Sequence, residues 1–235
     1  MEFRQRLGSG GFADVFEGMY HGKPVAIKKM KMTTKNPAAT REAFEAEACV
    51  LDLQHTHIIH LITASRHPDK VIIMELIPQA QTLQTLINDE VLYDWRDFAR
   101  QLSSALSYLH QHDVLHLDLK PANIIVNPDH QCKVIDFGCS QQRSNPTMSA
   151  CQGAPAYRAP ELFRGQLPTT KSDVYSLAMT LWCLKHQQLP YDGQNNDMVI
   201  YQVVAFSRRP SPDKEFETLW HPDPERRPEA QDVTF

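Results

Sequence analysis

The chain has 235 residues, 42% of them hydrophobic and 22% charged, and its formal net charge at pH 7 is -4. This length can bury one large core or two smaller ones. The mildly acidic balance, without a basic block, gives no reason to expect nucleic acid or an anionic membrane as a partner. The chain begins MEFRQRLGSG, without a signal pattern, and contains no apolar run of membrane-spanning length, which favours a cytoplasmic protein.

The first part of the chain is typical of short strands separated by Gly, Pro and His-Pro turns. Apolar residues predict strands over residues 12–20, 23–30, 58–64 and 70–76. One helix is predicted over residues 41–53, where Phe44, Ala48 and Leu51 share a face at helical spacing.

From residue 82 onward the pattern becomes mainly helical. Apolar residues at intervals of three and four predict helices over 95–111, 172–186 and 197–206. A short strand pair is predicted at 124–126 and 132–135. The stretch IPQAQT, residues 77–82, is the natural hinge. The expected fold class is α+β, with a strand-rich part over residues 1–76 and a mainly helical part over 77–235.

A glycine-rich stretch, GSGGFADV, occupies residues 8–15. Glycine allows backbone NH groups to approach a phosphate closely, although such a stretch alone is more often only a turn. The motif VAIK, residues 25–28, follows in the next predicted strand, as it does in kinase nucleotide sites. Lys28 is therefore predicted to hold the α and β phosphates of ATP. The loop residues expected to line the site are Gly8, Ser9, Gly10, Gly11, Phe12 and Val15.

A lysine on a strand needs an acidic partner if it is to be fixed in a nucleotide site. Glu47 is the predicted partner because it lies beside the inward face of the helix. Glu42 and Glu45 are more typical of exposed helix charges.

The strongest signal is HLDLKPAN, residues 116–123, followed by DFG at 136–138. Phosphoryl transfer needs a carboxylate beside the incoming hydroxyl and oxygen ligands for Mg²⁺. Asp118 is predicted to supply the first, and Asn123 and Asp136 to supply the second. Lys120 fits the D-x-K-x-x-N form of serine/threonine kinases, in which its ammonium offsets charge on the transferred phosphoryl group.

Three later motifs complete the pattern: RAPE at 158–161, SDVYSLA at 172–178 and PERRP at 224–228. From end to end the chain resembles a protein-kinase catalytic domain. Within that family it resembles the Mos serine/threonine kinases, through HLDLKPANI, DFGCS at 136–140, VAIKK and VVAFSRRPS at 203–211. The narrower match includes leucine at position 117, where the H-R-D-L pattern has arginine.

The resemblance implies a two-lobed kinase that uses ATP and Mg²⁺ and is expected to be a monomer. Its protein substrate is expected to be a MAP kinase kinase, in oocyte meiotic maturation. The family also implies that Glu161 pairs with Arg227 and that Asp173 is an anchor. The residues expected around the adenine are Ala26, Met74, Glu75, Ile77 and Ile125.

Three departures from the kinase pattern bear on rate and control. In kinases the HRD arginine normally binds a phosphate on the activation segment, the stretch that follows DFG and ends at RAPE. Leu117 cannot bind a phosphate, which predicts activity without that phosphorylation. Ala154 stands where serine/threonine kinases usually have threonine, and Ala13 stands where the last loop glycine is expected. Neither replacement removes a charged catalytic group. The available hydroxyls of the segment are Ser140, Ser144, Thr147 and Ser149.

Two alternatives belong to other classes. A pseudokinase that serves as a binding scaffold would be favoured by loss of Lys28, Asp118 or Asp136, and all three are present. A small-molecule kinase would share an H-x-D…N loop, but the APE-like segment and the long helical part are features of kinases that act on proteins.

Overall fold

The computed structural model describes residues 1–32, 36–91, 93–148 and 153–235. The first part is an antiparallel sheet of β1 (Glu2–Ser9), β2 (Ala13–Tyr20), β3 (Lys23–Met30), β4 (Leu61–Ser65) and β5 (Val71–Glu75). Their order across the sheet is β1-β2-β3-β5-β4. Strand β1 was not among the predicted strands, because all of its residues are exposed and the apolar alternation that marks a half-buried strand is absent.

The two faces of the sheet follow from the period of two along each strand. Val25 and Ile27 of β3 pack with Val71 and Ile73 of β5 in a small cluster on one face. The alternate residues face the main core of the molecule; among them are Ala26, Met30, Ile72 and Met74. Because β3 is buried on both faces, the side chain of Lys28 is enclosed.

Helix α1 (Pro37–Ala48) lies between β3 and β4. The side chain of Asn36 accepts a hydrogen bond from the NH of Ala39, and Pro37 occupies the first turn, where its missing NH costs nothing. The predicted range of 41–53 was therefore displaced toward the C-terminus. After Ala48 the chain continues in turns, in which the NH groups of Cys49, Val50 and Leu53 donate to carbonyls three residues back.

The second part is helical. Its helices are α2 (Leu83–Asn88), α3 (Trp95–Gln111), α4 (Pro160–Phe163), α5 (Thr170–His186) and α6 (Asn196–Phe206). Helix α3 matches its predicted range, and α5 and α6 begin one or two residues earlier than predicted. Thr169 and Ser172 form a capping box at the start of α5, whose residues from Ser172 to Leu184 are all buried.

Two small sheets connect these helices. β6 (Gln81–Thr82), β8 (Ile124–Val126) and β9 (Cys132–Val134) form one, and β7 (Val114–Leu115) pairs with β10 (Gln141–Gln142) in the other. The structure confirms the expected two-lobed α+β class. The division at residues 76 and 77 stays a prediction, next to the end of β5 at Glu75. In the described part of the chain, no helix is both long and apolar enough to cross a bilayer.

Candidate active site

A cleft between the sheet and the helical part contains a cavity of about 250 Å³. Most of the nucleotide-site residues predicted from the sequence line it: Gly8, Ser9, Gly10, Gly11, Phe12, Val15, Lys28, Glu47, Met74, Asn123 and Asp136. The NH of Gly10 donates to the carbonyl of Ala13 at 2.8 Å and closes the loop between β1 and β2. Lys31 holds the same loop from outside, through Ser9 Oγ at 2.8 Å and the Gly10 carbonyl at 2.7 Å.

The remaining predicted adenine contacts lie around this cavity but do not line it. Ala26 pairs with Met74 across β3 and β5 and is 7% exposed. The side chain of Glu75 accepts a hydrogen bond from the NH of His60 and forms an ion pair with Lys133. Ile77 and Ile125 are half-buried against the main core.

Lys28 bridges two carboxylates. Its Nζ lies 2.5 Å from Glu47 Oε2 and 2.7 Å from Asp136 Oδ1, so β3, α1 and the DFG motif meet at one ammonium. Burial opposes the charged form of Lys28, but the two carboxylates outweigh it and raise its pKa. Burial also opposes the charge of Asp136, and Lys28 outweighs that effect and lowers the Asp136 pKa to about 2. Both groups are therefore charged at neutral pH.

Asp118 is held through both of its oxygens. Lys120 Nζ lies 2.6 Å and Asn123 Nδ2 lies 2.9 Å from Asp118 Oδ2. The backbone NH of Ala154 donates to Asp118 Oδ1 at 2.9 Å. Lys120 and Asn123 were singled out from the motif, for charge compensation and metal binding rather than for these contacts with Asp118. The contact of Ala154 was not predicted, because a backbone donor that is distant in sequence leaves no residue-type signal.

Gly153 allows that third contact. It has a φ of +65°, and a Cβ at this position would lie 2.6 Å from the carbonyl oxygen of Leu117 and 3.1 Å from Asp118 Oδ1. Only glycine therefore fits between the segment and the loop. Leu117 itself has a φ of +64°, a left-handed conformation that is strained for leucine.

Asp173 of α5 supports the loop from beneath and will be called the platform. Its Oδ2 accepts the backbone NH of His116 at 2.9 Å, and its Oδ1 accepts the NH of Leu117 at 2.8 Å. His110 Nε2 lies 3.0 Å from the same Oδ2, a contact that the sequence did not reveal. Burial opposes the charge of Asp173, but these donors outweigh it and lower its pKa. The platform thus fixes the strained backbone at Leu117.

His116 completes the loop from within the core. It is fully buried, and burial lowers its pKa, which keeps the ring neutral. Its Nδ1 therefore accepts the NH of Asp118, at 3.2 Å.

A buried ion pair fixes the end of the activation segment. Arg227 donates to both oxygens of Glu161, at 2.7 and 2.9 Å, and Ser172 Oγ donates to Glu161 Oε1 at 3.0 Å. The Arg227 side chain is 0% exposed. The pair expected from the resemblance is present, and it joins α4, α5 and the residues after α6.

The cleft offers oxygen atoms that suit a divalent cation. Asn123 uses Nδ2 to contact Asp118, and Asp136 uses Oδ1 to contact Lys28. Within residues 1–32, 36–91, 93–148 and 153–235, no donor contacts the amide oxygen of Asn123 or Oδ2 of Asp136. An amide oxygen and a carboxylate oxygen are ligands of the kind that Mg²⁺ binds, together with phosphate and water.

The sequence is similar to those of known protein kinases. A protein kinase domain model matches residues 1–234. The serine/threonine-protein kinase mos of Patiria pectinifera is 38% identical, over 92% of this chain and 65% of that protein. The mos proteins of Xenopus laevis and Sus scrofa are 35% and 34% identical, each over 97% of this chain and over 72% and 77% of those proteins.

The chain belongs to the protein kinase family and, within it, to the Mos serine/threonine kinases. It is a serine/threonine protein kinase domain, and as such it uses ATP and a divalent cation. The comparison confirms the resemblance predicted from HLDLKPANI and DFGCS.

Proposed function

We propose that this Mos-family kinase transfers the γ-phosphate of ATP to a serine or threonine of a MAP kinase kinase. The observation that carries the proposal is the cleft itself, in which Lys28, Asp118 and Asp136 are present and each is held in place by hydrogen bonds. A binding scaffold would not need this arrangement, and it is the reason to prefer catalysis over the pseudokinase alternative.

We assign ATP to the cavity beneath the glycine-rich loop. Lys28, oriented by Glu47, binds the α and β phosphates, and the glycine-rich loop, residues 8–12, covers the phosphates with its backbone. Met74 lines the cavity and would contact the adenine, Ala26 and Ile125 lie around it, and the backbone of Glu75 and Ile77 would supply hydrogen bonds to the base. Asn123 and Asp136 would hold Mg²⁺, which neutralises charge on the phosphates when bound.

We assign proton transfer to Asp118. Its carboxylate accepts the proton of the incoming serine or threonine hydroxyl as the oxygen attacks the γ-phosphorus and ADP leaves. Lys120, now 2.6 Å from Asp118, is close enough to offset charge on the transferred group. The contacts of Asn123 and Ala154 fix the orientation of the base. This increases the rate of transfer, because reacting groups must be aligned.

The substrate and setting rest on family likeness. The Mos resemblance supports a MAP kinase kinase as substrate, a role in oocyte meiotic maturation, a cytoplasmic location and action as a monomer without nucleic acid. The net charge of -4 is compatible with a protein substrate rather than a polyanion.

We further propose that activity does not depend on activation-segment phosphorylation. Contacts that need no phosphate hold the start of the segment; for example, Gln141 Oε1 accepts the NH of Thr147 at 2.7 Å. Ser149 lies outside the described residues. Replacing Ser140, Ser144 and Thr147, together with Ser149, by alanine should leave kinase activity intact in a radiometric assay. A fall to background would contradict this.

The deciding experiment measures transfer of labelled γ-phosphate to a MAP kinase kinase and to a generic protein. The parent chain is compared with Asp136→Asn, and with Asp129→Asn as a control for loss of one exposed carboxylate. We expect Asp136→Asn to lose about 100-fold or more in rate, because metal and phosphate binding both depend on that carboxylate. Equal signal from the parent and Asp136→Asn would defeat the assignment. Transfer to the generic protein alone would defeat only the substrate.

A further inference from the structure

The catalytic loop and the DFG motif are joined by a very short strand pair. β7 leads into His116 of the loop, and β10 follows the DFG motif. The pairing consists of Gln141 with Leu115 and Gln142 with Val114. A two-residue ladder is too short to be stable alone, so contacts at its ends determine whether it persists.

At one end, Asp113 and Ser144 form what we call the clasp. The NH of Ser144 donates to Asp113 Oδ1 at 2.8 Å, and its hydroxyl donates to Asp113 Oδ2 at 2.5 Å. The NH of Arg143 adds a bond to the Asp113 carbonyl at 2.8 Å. The clasp therefore extends the ladder by two residues and gives the Asp113 carboxylate its donors.

Nothing else nearby strongly neutralises the Asp113 carboxylate. Arg143 Nε lies 3.8 Å from Asp113 Oδ1, too far for a hydrogen bond, and the Arg143 side chain is 53% exposed. In the described residues, no other ion pair involves Asp113. The contact with Ser144 is thus a charge-assisted bond from a neutral hydroxyl to an anion.

We propose that Ser144 is an inhibitory phosphorylation site. Another protein serine kinase transfers phosphate from ATP: the Ser144 Oγ bonds to the γ-phosphorus, the bond from that phosphorus to the β–γ bridging oxygen breaks, and ADP leaves. The hydroxyl proton, which now points at Asp113, is lost to the base of the acting kinase. Ser144 is exposed and the Asp113 side chain is 40% exposed, so the hydroxyl is accessible.

Phosphate reverses the chemistry of the clasp. A donor becomes a group of acceptors with a charge of about -2, placed against a carboxylate whose oxygens are also acceptors. Among the described residues Arg143 is the one cation that forms an ion pair with Asp113, and after phosphorylation it would have two adjacent anions to neutralise. The clasp opens, the ladder loses an end, and the segment that follows the DFG motif is no longer held against the strand that enters the catalytic loop. This is the opposite of the activation that an HRD arginine gives, and Leu117 provides no cation to reverse it.

The test compares the parent chain with Ser144→Glu and with protein carrying phosphoserine at 144, introduced during translation. We expect both to lower kcat about ten-fold, while binding of a fluorescent ATP analogue stays unchanged because Lys28 and Glu47 are not touched. Asn145→Glu adds the same charge one residue away, and Ser144→Ala removes only the hydroxyl; both should stay within about two-fold of the parent.

A charge test identifies Asp113 as the cause. Asp113→Asn keeps an acceptor for the Ser144 NH and gains an NH₂ that can donate to a glutamate or phosphate. Adding Asp113→Asn to Ser144→Glu should therefore restore kcat, and should slow amide exchange at residues 142–144, which Ser144→Glu alone accelerates. The exchange readout needs no phosphotransfer, so it still decides the matter if the proposed substrate is wrong. The proposal fails if phosphoserine at 144 leaves rate and exchange unchanged, if Asn145→Glu inhibits equally, or if Asp113→Asn restores neither.

Discussion

Two carboxylates position the catalytic loop of this kinase by the same chemistry and in opposite surroundings. The platform, Asp173, is fully buried and accepts two backbone NH groups of the loop. In the clasp, Asp113 is 40% exposed and accepts one backbone NH and one hydroxyl. A buried anion cannot exchange its donors for water, whereas an exposed anion can. The platform is therefore a permanent support, and the clasp is a support that a change of charge can release.

The largest expected effect comes from Asp173→Asn. An asparagine amide must turn its NH₂ toward one of the NH groups that the carboxylate now accepts, which leaves a buried donor without an acceptor. We expect the free energy of unfolding to fall by about 3 kcal/mol, measured by urea denaturation. The same change at Asp113 is the matched control, and it should cost less than about 1 kcal/mol because water replaces the lost contact. Equal losses would show that burial does not distinguish the two supports.

Acid should lower the stability of the folded chain by protonating the platform, Asp173. The pKa of Asp173 is below its ordinary value of 3.8 in the folded chain, so its contribution to stability is complete above about pH 4 and is lost as the pH falls through the folded value. Asp136, with a pKa of about 2, acts in the same direction.

We therefore expect the free energy of unfolding to decrease from about pH 4 downward, and to decrease less steeply in Asp173→Asn, which has no carboxyl to protonate there. Urea denaturation at a series of pH values between 5 and 2.5 measures both slopes. Identical slopes would mean that Asp173 takes up no proton on unfolding in this range.

The catalytic side chains were predictable from the sequence, whereas the contacts that support them were not. Lys28, Glu47, Asp118, Asn123 and Asp136 were found from residue type and spacing, because phosphoryl transfer demands charged or amide groups in that order. Their structural positions agree with those predictions, and their catalytic roles stay predictions.

The supports of the site depend on loop geometry instead. The Ala154 NH and the Asp113–Ser144 contact join positions 36 and 31 residues apart, through backbone atoms or common polar side chains that carry no spacing signal. In the fold, long buried helices such as α3 and α5 were predictable from their periodicity, and the exposed β1 was not. An element whose residues are all exposed has no apolar periodicity, and so it cannot be predicted from that periodicity.

The smallest expected effect concerns Ala154, whose backbone NH donates to the catalytic base Asp118. Ala154→Thr adds a hydroxyl that can reach Asp118 or Lys120, and one added hydrogen bond of about 1 kcal/mol corresponds to a several-fold rise in kcat. Ala154→Val has the same shape without the hydroxyl and should not raise kcat. The measurement is steady-state phosphotransfer at saturating ATP, with kcat separated from KM. If threonine and valine act alike, packing rather than a hydrogen bond limits the alignment of Asp118, and the backbone NH already supplies all the orientation that this segment can give.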